Sequence, residues 1–540
     1  SNEAFIVTGF DGSGKTSLLL EIFRQKQFSV YVENTKIKTG LEAVKYIFRK
    51  IILTETVYNE RQQEYSEIIN DVFDKSSKSF FESVKRIFNT LPSGVNLTIL
   101  LDDYNLYDEF TKESLAEMIR IFQVKGIKII LTESSDFDHS STTLNNRCDI
   151  QLNQFTDHQL SEFLDLSYSP LFPKQELKKY ILLYSDLQPG SIKQFIKDLI
   201  LLKVIKFNNA EVIFESSEEV ILALQSSHEE LYRMRLSNLN NDELKLAQII
   251  SAFEISVEQT VLAALLDVSH EKLKSILNEL EKKNIIDSLS LSNAPRINSF
   301  NFNKYIYSTI NNRIKFHIVL ANSIKKLFAD FNIMELARQF ELANEYEQSV
   351  EFLKKEILQA EEINAFTYKR SLLEKALGFD LNKRTFAELT FELVKTLYKL
   401  SNYKLVIENL YKQKLERYSE HEKNELLFIK GSSLIELRKT EDGKNILTQL
   451  KSDLKNKILV RRILVELAYA EYDLNNYETS EEYCKNLLND NEVTLEDQGR
   501  VLNLLSMIEL QVKGNPKTSL QYSIEALNKY ELAQLPRRIA

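Results

Sequence analysis

Three of only 12 glycines in this 540-residue chain crowd into one octapeptide, Gly9-Phe10-Asp11-Gly12-Ser13-Gly14-Lys15-Thr16, and no other feature constrains the fold as much. The spacing is GxxxxGK[ST]. It follows an apolar run, Ala4 to Gly9, and precedes an amphipathic stretch, Ser17 to Arg24, so it reads as a tight loop between a strand and a helix. Glycines let successive backbone N–H groups turn toward phosphate oxygens, and the helix start adds positive potential. Lys15 reaches the outer phosphates and the Thr16 hydroxyl is a Mg²⁺ ligand. The expected nucleotide contacts are therefore Gly9, Asp11, Gly12, Ser13, Gly14, Lys15, Thr16 and Ser17, with Asp11 contributing only its backbone N–H.

A loop of this kind needs a parallel sheet behind it. Short apolar or β-branched runs alternate with amphipathic stretches through the first 156 residues, and strands are expected at Ala4 to Gly9, Phe28 to Glu33, Leu97 to Asp102, Ile127 to Thr132 and Asp149 to Leu152. The third closes on Leu100-Leu101-Asp102-Asp103, the pattern of a Walker B motif. Asp102 is expected to share a Mg²⁺ ion with Thr16. Asp103 is expected to orient the attacking water, which makes Asp103 and Lys15 the candidate catalytic residues. The fourth strand ends at Thr132-Glu133-Ser134, where Thr132 is a candidate sensor of the terminal phosphate.

The remainder is helical in pattern. Residues 157–235 read as a helical lid and linker, with breaks at Ser167 to Pro173 and Asp186 to Gly190. Residues 236–330 read as three helices, a polar break at Ser288 to Pro295 and a short alternating run, Arg296 to Phe302, which together suggest a winged-helix unit. No proline occurs between Arg296 and Asn515, and residues 331–540 show helix pairs with recurrent turns at Ala343 to Tyr346, Leu400 to Tyr403, Glu441 to Gly443, Leu474 to Tyr477 and Gly514 to Pro516. The later spacings are close to the tetratricopeptide period of 34, so a superhelix of such repeats is expected, its aromatic residues forming inter-helix core.

Composition narrows the partners. Lysine and arginine number 69 against 78 acidic residues, a net charge of −9, which argues against a chain that mainly wraps nucleic acid. The candidate recognition helix, His270 to Asn284, carries Glu271, Glu279 and Glu281 beside its lysines, acids that oppose phosphate. No apolar run is long enough to span a bilayer, and the two cysteines are far apart in sequence, so a cytoplasmic protein without a membrane partner is expected.

Leu101-Asp102-Asp103-Tyr104-Asn105-Leu106-Tyr107-Asp108 resembles the Walker B signature of the STAND ATPases, signal-transduction ATPases with numerous domains. Asp149 to Asp157 is similar to that family's fifth strand and following helix start, Leu187-Gln188-Pro189 stands where it has Gly-Asn-Pro, and Ala247 to Asp330 resembles its winged helix. The likeness is strongest to the branch of the maltose-regulon activator and of ATPase modules in bacterial kinases and cyclases. It implies ATP/ADP and Mg²⁺ as cofactors, slow ATP hydrolysis, nucleotide contacts at Pro189 and Asn303, a protein or small-molecule ligand at the repeats, and nucleotide-dependent homo-oligomers. The expected function is a signalling switch with a transcriptional or kinase-type output. A scaffold with a structural nucleotide and a regulator that contacts DNA through the winged helix are the alternatives. Two positions depart from the family: Glu133-Ser134 replace an arginine after the fourth strand, and Asn303 stands where many members have a histidine. His317 sits at a common family position and is expected to pack between helices. The chain opens almost directly on a strand and ends within a helix pair, so a piece of a larger protein, with further repeats, is expected.

Overall fold

The structure is a computed structural model that describes residues 4–10, 12–26, 29–32, 41–52, 97–107, 111–112, 114–116, 118–119, 126–135, 147–168, 172–201, 204–208, 211–214, 228–255, 257–287, 294–298, 300–329, 331–362, 364–412 and 415–533. The chain divides into two compact units, 1–368 and 369–540.

The first unit begins with a five-stranded sheet. In chain order its elements are β1 (Ala4–Gly9), α1 (Lys15–Gln25), β2 (Ser29–Val32), α2 (Leu41–Ile52), β3 (Thr98–Leu101), β4 (Lys128–Ser134) and β5 (Arg147–Leu152). All neighbours pair in parallel, in the order β2-β3-β4-β1-β5. The inner strands are buried on both faces, which is why β3 is an unbroken apolar tetrapeptide with all four side chains inside. β4 separates the loop strand β1 from β3, pairing Val7 with Thr132 on one side and Leu131 with Leu101 on the other. It runs to Ser134, two residues beyond the strand end expected at Thr132, because the Ser135 N–H continues the ladder onto Gly9 O (3.1 Å).

Next come α3 (Asp157–Ser167), α4 (Lys174–Tyr184) and α5 (Pro189–Leu201), then a hairpin of β6 (Ile205–Asn208) and β7 (Glu211–Phe214). Thr156 and Gln159 form a reciprocal capping box that starts α3 where the sequence placed it. The hairpin was not among the expected elements. Its strands are only four residues each and lie between helices, too short for alternation to stand out.

α6 (His228–Ser237) leads to α7 (Asn241–Ser251), α8 (Gln259–Leu266), α9 (His270–Lys282), a two-residue ribbon of β8 (Ile286–Asp287) and β9 (Arg296–Ile297), α10 (Phe300–Ser308) and α11 (Arg313–Leu327). The run Arg296 to Phe302 is therefore strand for two residues only. Phe302, Ile306 and Ile310 recur at helical spacing and are all buried, which makes the following segment a helix. The first helix pair of the expected repeats, α12 (Ile333–Leu342) and α13 (Tyr346–Glu362), belongs to this first unit.

His317 is fully buried, as expected of a packing residue. The Gln339 amide nitrogen donates to Ala252 O (3.0 Å) and Glu335 Oε1 (2.7 Å), so Gln339 Oε1 must accept from His317 Nδ1 (2.7 Å), which leaves His317 Nε2 to accept from the Tyr307 hydroxyl (2.8 Å). That arrangement fits a neutral imidazole. Burial lowers the His317 pKa below its ordinary 6.5, and Arg338 and Arg313 lower it further. An unfolded chain takes up the proton first as pH falls. The stability due to His317 is thus complete above pH 6.5 and declines below it, through the lowered native value. Burial pushes the neighbouring Glu335 carboxyl up, which gives the opposite slope. The difference in unfolding free energy between wild type and His317→Gln, measured in urea from pH 8 to 5, is expected to shrink as pH drops; a constant difference would remove the assignment.

The second unit is a row of helical hairpins. α14 (Phe366–Leu377) crosses into it, followed by α15 (Lys383–Lys399), α16 (Tyr403–Tyr411), α17 (Glu420–Glu436), α18 (Thr440–Asp453), α19 (Lys457–Asp473), α20 (Tyr477–Leu488), α21 (Leu495–Gln511) and α22 (Pro516–Leu532). Left-handed residues at Ser401, Arg438, Asn475 and Gly514 break successive pairs at intervals of roughly 37–39 residues, slightly longer than the tetratricopeptide repeat. Buried or half-buried ion pairs join first helices of successive hairpins: Arg462 with Glu425 (2.9 Å) and Arg500 with Glu466 (2.7 Å). Glu441 to Gly443 is not a turn, contrary to the sequence expectation. Gly443 lies inside α18, and a Cβ there would stand 2.5 Å from Gly431 O, so the residue is small because two helices touch at it. Gly443→Ala, although it favours an isolated helix, is expected to lower urea-measured stability by about 1–3 kcal/mol.

Candidate functional site

The loop after β1 has the geometry its glycines allow. Gly12 and Gly14 have φ of 78° and 95°, values a side chain would strain, and Gly14 caps α1 in the left-handed conformation. Lys15 is buried and its Nζ donates to Gly9 O (2.8 Å) and Phe10 O (3.0 Å), so the cation is folded onto its own loop. Thr16 and Ser17 are exposed. Among the described residues, its chain neighbours aside, nothing lies within 4 Å of where a Cβ on Gly14 would stand. Asp11 lies outside the described residues.

β3 delivers Asp102 into the sheet edge beside this loop. Its carboxylate is 3% exposed and is held from both sides: the Tyr31 hydroxyl donates to Oδ2 (2.8 Å) and the Thr132 hydroxyl to Oδ1 (2.7 Å). Thr132 Oγ1 also accepts the Asp103 N–H (2.7 Å). One side chain of β4 thus ties both aspartates, a direct consequence of β4 lying between β1 and β3. Asp103 itself is left-handed (φ 48°), an uncommon conformation for a residue with a Cβ, and caps a turn of 3-10 helix at Tyr104–Leu106. Asn105 Oδ1 accepts the Ser134 N–H (3.1 Å), locking that turn to β4. The buried Tyr107 phenol has no hydrogen-bond partner among the described residues; burial, then Asp102 and Asp103, push its pKa well up.

The loop is also touched from behind. The Gly190 N–H donates to Gly12 O at 2.7 Å, and a Cβ on Gly190 would stand 2.8 Å from Gly12 Cα. This places the N-terminus of α5, with Pro189 as its first residue, on the phosphate loop. About one and two turns further along, Gln194 Oε1 accepts from Asn284 Nδ2 (3.1 Å) and Lys197 Nζ donates to Asn284 Oδ1 (3.0 Å). α5 therefore bridges the loop and the turn that joins α9 to the β8-β9 ribbon.

Sequence reasoning had gathered Lys15, Thr16, Asp102, Asp103 and Thr132 here. It had not foreseen Tyr31, Asn105, Tyr107 or Gly190. Asn303 is half-buried on α10 and makes no hydrogen bond to the loop among the described residues. Thr16 and Asp102 are the groups that could hold Mg²⁺, an ion that ordinarily takes one or two protein oxygens together with phosphate and water. Among the described residues no cluster of three or more His, Cys, Asp or Glu would hold a metal by itself, and no helix is long and apolar enough to cross a membrane.

No protein-family model matches the chain, and no curated protein does. Among solved structures, it is similar to a signal transduction ATPase with numerous domains (STAND) carrying a tetratricopeptide repeat sensor, from Pyrococcus horikoshii: 15% identity over 99% of this chain and 82% of that one, TM-score 0.42. It is also similar to the ORC1 protein of Aeropyrum pernix in complex with DNA (12% identity, 57% and 87% covered, TM-score 0.30) and to a RuvB variant of Thermotoga maritima (13%, 57% and 88%, TM-score 0.24).

A larger side chain at residue 190 would press on Gly12, itself an expected nucleotide contact, and should push α5 away from the loop. Gly190→Val is expected to weaken Mg·ATP binding about tenfold by calorimetry and to raise amide exchange at the start of α5. Unchanged affinity and exchange would show the contact to be incidental.

Proposed function

We propose that this chain is a nucleotide-controlled signalling switch that binds ATP or ADP with Mg²⁺ on the loop from Gly9 to Ser17 and hydrolyses ATP slowly. The observation that carries this reading is α5, fixed at its first turn to Gly12 and midway along to Asn284. A change of loop conformation on nucleotide binding has a rigid element to act through, and the three helices and ribbon from α7 to β9, which we read as a winged helix, receive it.

The geometry supports the following roles. Lys15 exchanges the carbonyls of Gly9 and Phe10 for the outer phosphate oxygens, a charge-assisted bond in place of two neutral ones. Thr16 and Asp102 would hold Mg²⁺, which when bound would supply positive charge against the phosphates. Asp103 orients the attacking water, and Thr132, bonded to both aspartates, links the presence of a terminal phosphate to the turn at Tyr104–Leu106. The hairpin repeats of the second unit are the sensor, and a protein or small molecule bound there biases the nucleotide state through its differential affinity for the two forms. Pro189 and Asn303 are proposed as further nucleotide contacts, the latter requiring closure of α10 toward the loop. Direct DNA contact by α9 is disfavoured because neighbouring acids engage its lysines: Lys272 pairs with Asp242 (2.7 Å) and Lys282 with Glu279 (2.6 Å), while Lys283 just beyond it pairs with Glu243 (2.6 Å).

Calorimetry and single-turnover hydrolysis on the purified chain test the proposal. Lys15→Ala is expected to lower Mg·ATP affinity roughly a hundredfold, about 3 kcal/mol. Asp103→Asn should keep affinity within about threefold and slow hydrolysis about 10²–10⁴-fold. A wild type that binds no nucleotide with Mg²⁺ present would end the switch reading, and an Asp103→Asn variant that binds and hydrolyses normally would end only that residue's role.

A further inference from the structure

The sheet order gives the phosphate loop two unlike flanks. On one side of β1 lie β4 and then β3, which carry Thr132 and Asp102, the groups assigned above to the terminal phosphate and Mg²⁺. On the other side lies β5: a Cβ on Gly9 would stand 3.1 Å from the carbonyl of Leu152, the last residue of that strand. Just beyond β5 the Phe155 N–H donates to Leu187 O (3.0 Å), so Leu187 and Gln188, which lead into α5, border the loop on the β5 flank. A nucleotide lying across the loop with its terminal phosphate toward Asp102 runs its base end toward that flank.

Gln188 is the unusual residue there. It is 1% exposed, and neither Nε2 nor Oε1 of its amide has a hydrogen-bond partner among the described residues. Asn298 and Gln359 each leave one buried amide atom unpaired; among the described residues Gln188 alone leaves both. Its backbone, by contrast, is fixed. The Gln188 N–H donates to Asp186 Oδ1 (3.0 Å), its carbonyl accepts the Ile192 N–H (2.9 Å), and two residues on the Gly190 N–H meets Gly12 O (2.7 Å). An unpaired donor and acceptor thus stand on a fixed stem beside the loop, an arrangement rare in native structures because it costs stability with no return inside the free protein.

The chemistry of the amide selects its partner. Phosphate oxygens only accept, so they would leave Oε1 unpaired, and a Mg²⁺ ion would take Oε1 and leave Nε2. A planar edge with an acceptor beside a donor satisfies both atoms at once. The N7 edge of adenine is such an edge, the one a glutamine pairs with through two bonds, whereas guanine presents two acceptors there. We propose that the Gln188 carboxamide reads the base of the bound nucleotide, Nε2 donating to adenine N7 and Oε1 accepting from the adenine N6 amino group. The contact presupposes the nucleotide site proposed above and gives it a residue that selects adenine. Water does not reach the amide, so the base arrives as the turn at Leu187, left-handed at φ 60°, moves aside. A dry site of this kind discriminates strongly, because a base lacking either group leaves a buried amide atom unpaired.

The test is calorimetry of the whole chain with the Mg²⁺ complexes of ATP, 7-deaza-ATP, purine riboside triphosphate and 2′-deoxy-ATP, on the wild type and on Gln188→Met. Methionine keeps the length of the side chain and removes both polar atoms; Gln188→Leu replaces it if that variant does not fold. On the wild type, 7-deaza-ATP and purine riboside triphosphate, each lacking one of the two bonds, are expected to bind about tenfold more weakly than ATP. On Gln188→Met, ATP should fall to the level of the two analogues. The melting midpoint of the nucleotide-free variant should be unchanged or higher, since no unpaired amide is then buried. Equal binding of ATP and both base analogues by the wild type, or the same differences persisting on the variant, would overturn the proposal and leave the nucleotide site standing. So would a loss confined to 2′-deoxy-ATP, which would give the amide to the ribose. A wild type that binds none of the four would end this proposal together with the nucleotide reading.

Discussion

One backbone hydrogen bond, Gly190 N–H to Gly12 O, organises the site. A loop that turns its N–H groups toward phosphate must turn some carbonyls away from it, and here one of them meets the N-terminus of α5. Helix starts have N–H groups without intrahelical partners; Pro189 supplies none, and Gly190 is the next in line. The approach is possible only because neither residue has a side chain, the Gly190 Cβ position being 2.9 Å from Gly12 O. The phosphate loop thus caps the helix whose side chains also hold Asn284.

Around this contact the backbone is strained. Asp103 and Leu187 are left-handed, which costs about 1–3 kcal/mol at each. Gln188, between Leu187 and Pro189, is 1% exposed, and among the described residues neither its amide atoms nor the buried Tyr107 phenol finds a hydrogen-bond partner. Each buried polar group left without a partner costs about 1–3 kcal/mol. The sheet core and the cluster of Leu160, Leu177, Ile192 and Ile196 beneath α5 offset these costs.

What was legible in the sequence was whatever depends on local chemistry. Gly9 to Thr16, the acids closing β3, the start of α3 at its capping box and the recurrent turns near Ser401 and Asn475 are all written in residue types at fixed spacing. Features that arise where distant segments meet were not. Gly190 read as part of a break, because nothing in its neighbours says that Gly12 lies against it; Gly443 read as a turn for the same reason, although its smallness serves a helix crossing. Thr132 was identifiable as a polar strand end, but its bonds to Asp102 and Asp103 depend on the strand order, which no local pattern encodes. The ribbon at Arg296–Ile297 was extended too far because aromatic residues spaced two apart, Phe300 and Phe302, fit a strand as well as a helix over so short a run.

The junctions of α5 also bound how strongly the proposed switch can act. One bond at Gly12 and two at Asn284, each worth about 0.5–1.5 kcal/mol net, give at most about 1.5–4.5 kcal/mol if all are made in one state and lost in the other. Inverting a two-state equilibrium from 1:99 to 99:1 needs about 5.5 kcal/mol. Nucleotide acting through α5 alone therefore biases the first unit without committing it. On the proposed switch reading, a full response therefore needs a second ligand, with its own preference for one state, to add to the nucleotide.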